Sequence, residues 1–595
     1  MDNITMARLL DETAALLEID AADPFRIRSY RRAAEAVEQQ TDALAGLIDD
    51  PKRLTAIGGI GKGMAANIVD LVNTGSMPLR DELLKKYRPT MLDLLRLPGM
   101  GPKTVALLWS ALQIENMDQL EAAGKAGHLA TLPRFGQKQI DKILKGIEDH
   151  RRNTGRFRID VAEETAEKIA ALIREFPGIE TITFAGSLRR GKESVGDLDL
   201  LVTGPACEVD VVSSAVEYVA SLPLIDNLIA KGQNKVSFNL RNGLQVDVRL
   251  LPRASYGAAL QYFTGSKMHN VLLRQKALRR GYTLSEYALA RMNPEPGEET
   301  VVAAANEADI YAALGMQFIP PELRENCGEL DAAERGELPT LITLADIRGD
   351  VHMHTVATDG RETIRDMAEA AARRGLQYIA ITDHSKNLAM TNGLDDERAQ
   401  EHVRRIREVD VKMAGRIRVF AGIEVDILQE GELDLTDETL SQMDVVIGSV
   451  HSHFKLAADE MTARLLRAIE NPYLRILGHP TGRKVLRRDP YDYNMEAVLR
   501  RCAELGVAVE HNAAPARADL NDLNLRKAKA LGCKISVNTD AHSMEDLDKM
   551  RFGITQLRRA WLTPADILNT LDADAFLAAL RARPAGTLAT TTVGG

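Results

Sequence analysis

Two aspartates are separated by a single residue in a strand-like stretch, Asp197-Leu-Asp199. Because side chains alternate between the two faces of a strand, both carboxylates point the same way while Leu198 turns into the core. A later strand-like run presents Asp247 with the same alternation. Three carboxylates on adjacent strands can hold two Mg²⁺ ions, one lowering the pKa of an attacking hydroxyl and the other binding a triphosphate and the leaving pyrophosphate. The pattern therefore indicates a candidate two-metal site.

Phosphate-binding groups precede these aspartates. Gly186 and Ser187 lie about ten residues earlier at a predicted strand-to-helix turn, where they offer backbone and hydroxyl donors to phosphate. Arg190 adds positive charge where negative charge grows in a transition state, and Gly196 leads directly into Asp197. A bare Asp-x-Asp is usually a solvated strand face, but the turn and the third aspartate favour a nucleotide site.

Two glycine-rich segments in the first 150 residues are each followed by a helical run, and residues 132–138 form a weaker third copy. The candidate DNA-binding residues are Gly59, Gly61 and Lys62 in the first copy, and Gly99, Gly101 and Lys103 in the second. The glycines permit a tight hairpin whose outward N–H groups bind phosphate and ignore base sequence. The alternative is an ordinary helical connection with a C-cap glycine, but the repetition favours DNA binding.

Histidines are concentrated in the C-terminal part, where nine of the twelve follow residue 350. The candidate metal ligands are His352, His354, Asp359, His384, Glu424, His451, His479, Asp540 and His542. Most follow short apolar runs, so they are expected at the C-terminal ends of successive strands, where barrel active sites gather. Imidazole mixed with carboxylate suits Zn²⁺, Mn²⁺ or Fe²⁺. A lone histidine is more often a core or surface residue, as expected for His402, while His453, His511 and Asp426 are expected beside the ligands.

The bulk properties limit the function classes. The 595 residues carry a net charge of −10, which counts mildly against nucleic-acid binding, although basic groups can be local and a metal domain adds acidic residues. No stretch approaches the roughly 20 apolar residues of a membrane helix, and the first residues do not form a signal peptide. We therefore expect a cytoplasmic protein, with its four scattered cysteines as isolated thiols.

The Gly-Ser turn with its three aspartates resembles the nucleotidyltransferase fold, and the Ser-x-Arg-Arg spacing resembles family X DNA polymerases over residues 1 to about 325. The segment Tyr262-Phe263-Thr-Gly265-Ser-Lys-Met-His-Asn270 resembles the nucleotide-selection segment of that family. The resemblance implies that Tyr262 and Phe263 pack beside the sugar and help to exclude ribonucleotides. It also implies that Asn270 reaches the minor-groove edge of the incoming base and that Arg274 contacts the template strand.

Two positions depart from the pattern of polymerase beta. Asn67 stands where that enzyme has a lysine that forms a Schiff base with 5′-deoxyribose phosphate, so lyase activity is expected to be weak or absent. Gln245 stands where that enzyme has an arginine beside the third aspartate, which bears on the position of the primer end.

The histidine and carboxylate clusters resemble the PHP superfamily over residues 346 to about 560, and all nine family positions are filled. The resemblance implies up to three Mn²⁺ or Zn²⁺ ions. The implied sets are His352, His354, Glu424 and Asp540; then His451 and His479, with Glu424 as a bridge; and then Asp359, His384 and His542.

The predicted fold class is multidomain, with α-helical helix-hairpin-helix domains, an α+β nucleotidyltransferase palm and thumb, and a C-terminal α/β distorted barrel of the PHP type. The predicted domains are a helical DNA-binding domain at 1–85, a fingers-like domain at 86–157, the palm at 158–255, a thumb-like domain at 256–325, a linker at 326–345 and the PHP domain at 346–580.

The predicted function is repair synthesis. Template-directed dNTP addition would fill short gaps in gapped or nicked DNA, and the PHP domain would act on DNA ends as a 3′→5′ exonuclease, a 3′-phosphatase or an abasic endonuclease. A monomer is expected, and the sequence indicates no protein partner. The alternatives are a PHP enzyme for small phosphate esters, a non-catalytic DNA-end scaffold, and a nucleotidyltransferase for RNA or small molecules. The hairpins, the filled metal positions, and Asn270 with Arg274 argue against these three in turn.

Overall fold

The computed structural model describes residues 3–38, 44, 48, 51–95, 97, 99–133, 135–153, 155–388 and 391–582. The chain divides into two compact units, Met1–Thr154 and Gly155–Gly595. Within the described ranges, every helix is too short or too polar to cross a membrane.

The first unit is helical, as its composition predicts. Its helices are α1 (Asn3–Ile19), α2 (Pro24–Glu38), α3 (Pro51–Thr55), α4 (Lys62–Thr74), α5 (Pro78–Lys86), α6 (Thr90–Leu94), α7 (Pro102–Leu112), α8 (Met117–Lys125) and α9 (Gln137–Asn153). Apolar residues at helical spacing form one core, in which Leu10, Leu71 and Leu108 are fully buried. Proline begins α5 and α7, at a position where the missing N–H would have no helical partner.

The second unit begins with the region predicted as the palm. Its elements are β1 (Phe157–Arg158), α10 (Ile159–Arg174), β2 (Thr181–Phe184), α11 (Gly186–Arg189), β3 (Ser194–Val195), β4 (Asp197–Thr203), α12 (Val212–Ala220), β5 (Ile225–Lys231), β6 (Lys235–Leu240) and β7 (Gln245–Leu250). Five strands form a sheet in the order β2-β4-β7-β6-β5, in which only the β4–β7 pair is parallel. Leu198 and Leu200 of β4 are fully buried in the core below this sheet. The alternation that the sequence predicts is therefore present, and it leaves Asp197 and Asp199 on the opposite face.

The thumb region follows, with α13 (Tyr256–Thr264), α14 (Lys267–Arg279), β8 (Tyr282–Leu284), β9 (Leu289–Arg291), β10 (Val301–Ala303), α15 (Glu307–Ala313) and α16 (Glu329–Arg335). The segment 326–345, which we predicted as a linker, contains α16. Leu330 and Ala333 of α16, together with Leu341, pack into the thumb core. The sequence did not indicate this helix, because a short amphipathic pattern is hard to tell from a polar loop.

The C-terminal region alternates strands and helices. Its elements are β11 (Gly349–Asp350), α17 (Ile364–Arg373), β12 (Tyr378–Ile381), α18 (Asp396–Lys412), β13 (Arg418–Asp426), α19 (Asp437–Leu440), β14 (Val445–Ser449), α20 (Ala458–Glu470), β15 (Ile476–Leu477), α21 (Met495–Leu505), β16 (Ala508–Asn512), α22 (Asp522–Ala530), β17 (Ile535–Asn538), α23 (Met550–Arg559) and α24 (Ala573–Arg581).

The strands β11 to β17 form one parallel sheet in sequence order. A parallel bridge between Met353 and Ala541 joins the two ends of the sheet, so the sheet is a nearly closed barrel. The predicted fold class of this region is confirmed. Strands buried on both faces explain why they read as short, continuous apolar runs.

Candidate metal centres and the residues around them

The three palm aspartates lie on two neighbouring strands. Asp199 of β4 is the register partner of Asp247 of β7, and Asp197 is the partner of Gln245. Burial and the two neighbouring carboxylates raise the pKa of Asp199 to about 7. A cluster of like charges of this kind is unfavourable without cations, and it is the arrangement that divalent metal ions compensate.

Asp247 is held by its neighbours on the sheet. Lys235 Nζ lies 2.7 Å from Asp247 Oδ1, and Ser237 Oγ donates to the same oxygen. Gln245 Nε2 donates to Asp247 Oδ2 at 2.9 Å. Although burial opposes the shift, these contacts lower the pKa of Asp247. Gln245, which departs from the polymerase beta pattern, therefore fixes the third aspartate directly.

The predicted phosphate-binding turn lies against the aspartates. A Cβ at Gly186, which has a φ of +58°, would lie 2.3 Å from Asp199 Oδ2, so only glycine permits this approach. Ser187 Oγ is buried and has no hydrogen-bond partner among the described residues. Arg190 Nη1 donates to the carbonyl of Thr264 at 2.6 Å. Three carboxylates with an unpartnered hydroxyl and a cation beside them fit a Mg²⁺–triphosphate group.

The predicted nucleotide-selection residues are brought together at the junction of α13 and α14. The Tyr262 and Phe263 rings meet edge to face, with centroids 4.9 Å apart, and the guanidinium of Arg274 lies 4.9 Å from the Tyr262 centroid. Asn270 Nδ2 donates to the Tyr262 carbonyl at 2.6 Å. Gly265 has a φ of +69° and adjoins Arg190, whose Nη1 would lie 3.2 Å from a Cβ there. Gly196 directly precedes β4, outside this junction.

The two predicted hairpins end at helix N-termini. Gly61 caps α4 and Gly101 caps α7, each in an extended conformation and without a side-chain cap. Gly59 and Gly99 take positive φ values of +96° and +81°, which a turn of this kind needs. Exposed lysines, Lys62 and Lys103, follow the caps. Asn67, in the middle of α4, donates from Nδ2 to Tyr30 Oη at 2.9 Å.

Glu424 occupies the centre of the C-terminal cluster, and its carboxylate is nearly fully buried. Oε1 lies 3.1 Å from His479 Nε2 and 3.4 Å from His451 Nε2. Oε2 lies 2.8 Å from His384 Nδ1 and 3.4 Å from His352 Nε2. Burial opposes ionisation, but the surrounding imidazoles hold the pKa of Glu424 well below its ordinary value. The two oxygens face different histidines, which is the geometry of a bridging ligand.

The other predicted ligands belong to the same cluster, some of them in contact with the histidines around Glu424. His354, Asp359, His384 and His542 have ligand atoms within 4.8 Å of one another, and His354 Nε2 lies 3.1 Å from Asp540 Oδ1. All nine candidate ligands are thus brought together. The groups that they form overlap more than the three predicted sets do, because His354 and His384 each belong to two groups.

The nitrogen atoms in this cluster fit metal ions. Buried ring nitrogens of His352, His354, His451 and His479 have no hydrogen-bond partner among the described residues. Burial lowers the pKa of His354 and of His479 to about 4, so both imidazoles are neutral at neutral pH. Neutral imidazole beside ionised carboxylate is the donor set that Zn²⁺ and Mn²⁺ accept.

Glu510 adjoins the candidate ligands, and its place there was not predicted from the sequence. Its Oε1 accepts from His352 Nδ1 at 2.7 Å, and its Oε2 accepts from the His479 backbone N–H at 2.7 Å. Glu510 therefore orients His352 and leaves Nε2 facing Glu424. The neighbouring His511, predicted beside the ligands, instead has Nδ1 2.7 Å from the carbonyl of Leu520. Strand parity on β16 was the available signal, because adjacent residues point to opposite faces.

Of the other three residues near the predicted ligands in sequence, Asp426, His402 and His453, only Asp426 is shown beside a candidate ligand. Asp426 Oδ1 lies 3.4 Å from His451 Nδ1, so it adjoins the ligands as predicted. His402 is buried, and its Nε2 lies 2.8 Å from Asp383, as expected for a hydrogen-bonded core histidine. His453 is exposed.

A cavity of about 330 Å³ opens onto the cluster, and its cationic lining residues were not predicted. They are Lys484, Arg517 and Lys549. Arg517 Nε lies 3.2 Å from Asp540 Oδ2, and burial lowers the pKa of Lys484 to about 8. Cations beside buried carboxylates and imidazoles suit a phosphate group.

Four family models match the chain: a helix-hairpin-helix domain over residues 1–77, a SAM-like helix-hairpin-helix tandem over 91–149, the DNA polymerase beta thumb over 259–325 and the PHP domain over 350–506. The DNA polymerase/3′-5′ exonuclease PolX of Bacillus subtilis is 36% identical over 575 residues, covering 96% of this chain and 98% of that protein. The chain belongs to the bacterial family X DNA polymerases with a PHP domain. The predicted family and fold class of this family X polymerase are confirmed.

Smaller relatives match only the C-terminal part. A probable phosphatase of Thermoanaerobacter sp. is 31% identical over 232 residues, 37% of this chain and 89% of that protein. A probable phosphatase of Syntrophotalea carbinolica is 30% identical over 230 residues, 37% of this chain and 90% of that protein. A solved structure of Leishmania infantum polymerase beta, a ternary P/T complex, is 24% identical with a TM-score of 0.27, covering 40% of this chain and 98% of that one.

Proposed function

We propose that this family X polymerase extends DNA primers at the palm aspartates and shortens 3′ ends at the PHP cluster. The observation that carries the proposal is the register pairing of Asp199 with Asp247 beside the unpartnered Ser187 hydroxyl. The Bacillus relative, similar over nearly the whole chain, is named for both activities.

In the palm, Asp197, Asp199 and Asp247 would hold two Mg²⁺ ions, which when bound activate the primer hydroxyl and stabilise the leaving pyrophosphate. Gly186 and Ser187 would donate to the triphosphate of the dNTP, with Arg190 as the nearby cation. The residues of the nucleotide-selection junction, Tyr262, Phe263, Gly265, Asn270 and Arg274, would hold the sugar, the base edge and the template strand.

In the PHP domain, the nine clustered residues would hold up to three Mn²⁺ or Zn²⁺ ions, which when bound polarise a phosphodiester and activate water. Lys484 and Arg517 line the cavity and would bind the oxygens of the scissile phosphate. Glu510 would keep His352 in the tautomer that presents Nε2 to the metal.

The hairpins would bind gapped or nicked DNA through the N–H groups that begin α4 and α7, with Lys62 and Lys103 beside them. Such contacts hold the DNA backbone without reading sequence, which suits a repair enzyme. We also propose that the protein is a monomer and lies in the cytoplasm.

A 5′-labelled primer on a one-nucleotide-gapped duplex, with Mg²⁺ or Mn²⁺ and with or without dNTPs, tests both activities. We compare the wild type with Asp197→Ala/Asp199→Ala and with His352→Ala/His354→Ala. Extension lost only in the first variant, and shortening lost only in the second, is the expected result. Shortening without any extension by the wild type would overturn the polymerase half of the proposal.

A second candidate for the PHP domain is phosphate-monoester hydrolysis, because the probable phosphatases match most of their own length to this domain. Extension without shortening would favour it. Phosphate release from a 3′-phosphorylated primer and from a small ester would then separate a DNA-end phosphatase from a small-molecule enzyme.

A further inference from the structure

The turn that follows α11 is contacted by a helix of the PHP domain. Gln556 Nε2 on α23 donates to the carbonyl of Gly191 at 2.7 Å. One turn later, Arg559 Nη1 donates to the carbonyl of Arg190 at 2.6 Å. Both side chains are buried, with 4% of Gln556 and 3% of Arg559 exposed, so these hydrogen bonds are shielded from competing water.

Helix α23 also packs closely against this turn. Gly191 has a φ of +66°, and a Cβ there would lie 2.1 Å from Thr555 Cγ2 of α23. Phe552 of α23 also joins the apolar core of the palm. Helix α23 therefore holds the turn through side-chain hydrogen bonds to the carbonyls of the turn, and it also packs against the turn and the palm core.

The Arg190 side chain reaches the same helix through a shared carboxylate. Arg190 Nε donates to Glu325 Oε1 at 2.9 Å, and Arg559 Nη1 lies 3.1 Å from the same oxygen. Arg559 is itself fixed, because its Nη2 donates to Asp522 of α22 at 2.7 Å. Despite its burial, the cations Arg190 and Arg559 hold the pKa of Glu325 below its ordinary value.

We propose that Gln556 and Arg559 of the PHP domain are positioning residues for the polymerase, which hold Arg190 where it meets the triphosphate of a dNTP. Arg559 acts on Arg190 twice, at the backbone carbonyl and through Glu325, while Gln556 fixes the next peptide. The inference rests on the role proposed above for Arg190. By this positioning role the C-terminal domain would contribute to the dNTP site, in addition to its proposed nuclease activity.

The test measures the Kd of the correct dNTP on full-length protein bound to a one-nucleotide gap with a dideoxy-terminated primer. Steady-state KM and kcat are then measured with an extendable primer. The variants are Gln556→Ala, Arg559→Gln and Arg559→Lys, with Arg190→Ala as the reference. Arg551→Ala is the matched control, because Arg551 lies on the same helix and pairs with Glu163 of the palm, and among the described residues none of its hydrogen bonds or ion pairs is with the turn.

We expect Arg559→Gln to raise the dNTP Kd and KM roughly tenfold, as befits a lost charge-assisted hydrogen bond, with kcat at saturating dNTP changed less than about twofold. Arg559→Lys keeps the charge near Glu325 and should recover part of the affinity. Because Arg559 acts through Arg190, Arg190→Ala/Arg559→Gln should bind dNTP no more weakly than Arg190→Ala alone. Retained 3′-end shortening by each variant shows that the PHP domain is folded.

Two outcomes overturn the inference and differ from each other. If Arg190→Ala weakens dNTP binding but Gln556→Ala and Arg559→Gln behave like Arg551→Ala, the positioning role is wrong and the proposed dNTP site stands. If Arg190→Ala leaves the dNTP Kd unchanged, the proposed role of Arg190 fails, and the inference fails with it.

Discussion

Asp199 and Asp247 are register partners on the only parallel strand pair of the palm sheet, and Gly186 is packed directly against Asp199. Asp199 is partly buried and has two like charges beside it, and burial together with these charges raises its pKa to about 7. Lys235 offsets the charge of Asp247, but Asp199 is still repelled by two carboxylates until cations bind, so the cluster lowers the stability of the metal-free protein.

Asp199→Asn removes one charge from this cluster. We expect the metal-free variant to unfold at a higher temperature than the wild type, with a gain on the order of 1 kcal/mol, because one of three repelling carboxylates is gone. Millimolar Mg²⁺ should stabilise the wild type and not the variant, and primer extension should be lost. Thermal unfolding in EDTA and in Mg²⁺ measures both effects.

Asp210→Asn is the control for that experiment, because Asp210 is an exposed aspartate of the same region. It should change neither the Mg²⁺ response nor extension. A metal-free Asp199→Asn protein that is less stable than the wild type would show that the three carboxylates do not repel one another.

Glu510→Gln keeps the size of the side chain but removes the charge that holds His352 Nδ1. We expect the affinity of the PHP domain for Mn²⁺ to fall roughly 10- to 100-fold, as for other residues that orient a histidine ligand. Shortening of the primer should be slow at limiting Mn²⁺ and recover at high Mn²⁺, while extension stays unchanged. Titrating the shortening rate against Mn²⁺ measures the shift.

Glu504→Gln provides the comparison for Glu510→Gln, since Glu504 is exposed on α21 and pairs only with Arg501 among the contacts described here. Equal Mn²⁺ dependence in the wild type and Glu510→Gln would mean that the carboxylate has no part in metal binding.

The sequence predicted the two palm strands that carry the aspartates and the clustering of the nine candidate PHP ligands because both follow from local rules. Alternation along β4 places Asp197 and Asp199 on one face, and parallel strands bring their C-terminal ends together. The contacts of Gln556 and Arg559 could not be predicted in the same way. They join residues more than 360 positions apart in the chain, and nothing in the pattern of α23 distinguishes its palm-facing side from an ordinary helix face.

Two other features, Glu510 and helix α16, were not predicted from the sequence for simpler reasons. Glu510 was overlooked because the adjacent His511 is a commoner metal ligand, although strand parity separates the two. Helix α16, within the segment predicted as a linker, was not predicted because it contributes only Leu330 and Ala333 to the thumb core, too few for a periodic signal.

Asn67 is the reason that we expect lyase activity to be weak or absent. Its amide donates to Tyr30 Oη in the middle of α4, and an amide nitrogen cannot form an imine with an aldehyde. We expect at most a weak borohydride-trapped adduct between the wild type and DNA that carries a 5′-deoxyribose phosphate. Polymerase beta, tested in parallel, is the positive control, and trapping at its level would contradict the prediction.

His511 makes the stability of the PHP domain depend on pH. Burial lowers its pKa from 6.5 to about 4, Nδ1 is bonded to the Leu520 carbonyl, and the buried Nε2 has no partner among the described residues. The unfolded chain therefore binds a proton as the pH falls through 6.5, whereas the folded chain does not until about pH 4. Stability is lost across that window as the pH falls.

His511→Gln should remove this loss, because glutamine can donate to Leu520 and does not titrate. Between pH 7.5 and pH 5, we expect the unfolding free energy of the wild type to fall by about 2 kcal/mol more than that of the variant. Denaturant unfolding, followed by the fluorescence of Trp561 in a Trp109→Phe background, measures the difference at each pH. Other groups titrate in both proteins and cancel in the comparison, so parallel curves for the two proteins would show that His511 is already protonated in the folded state.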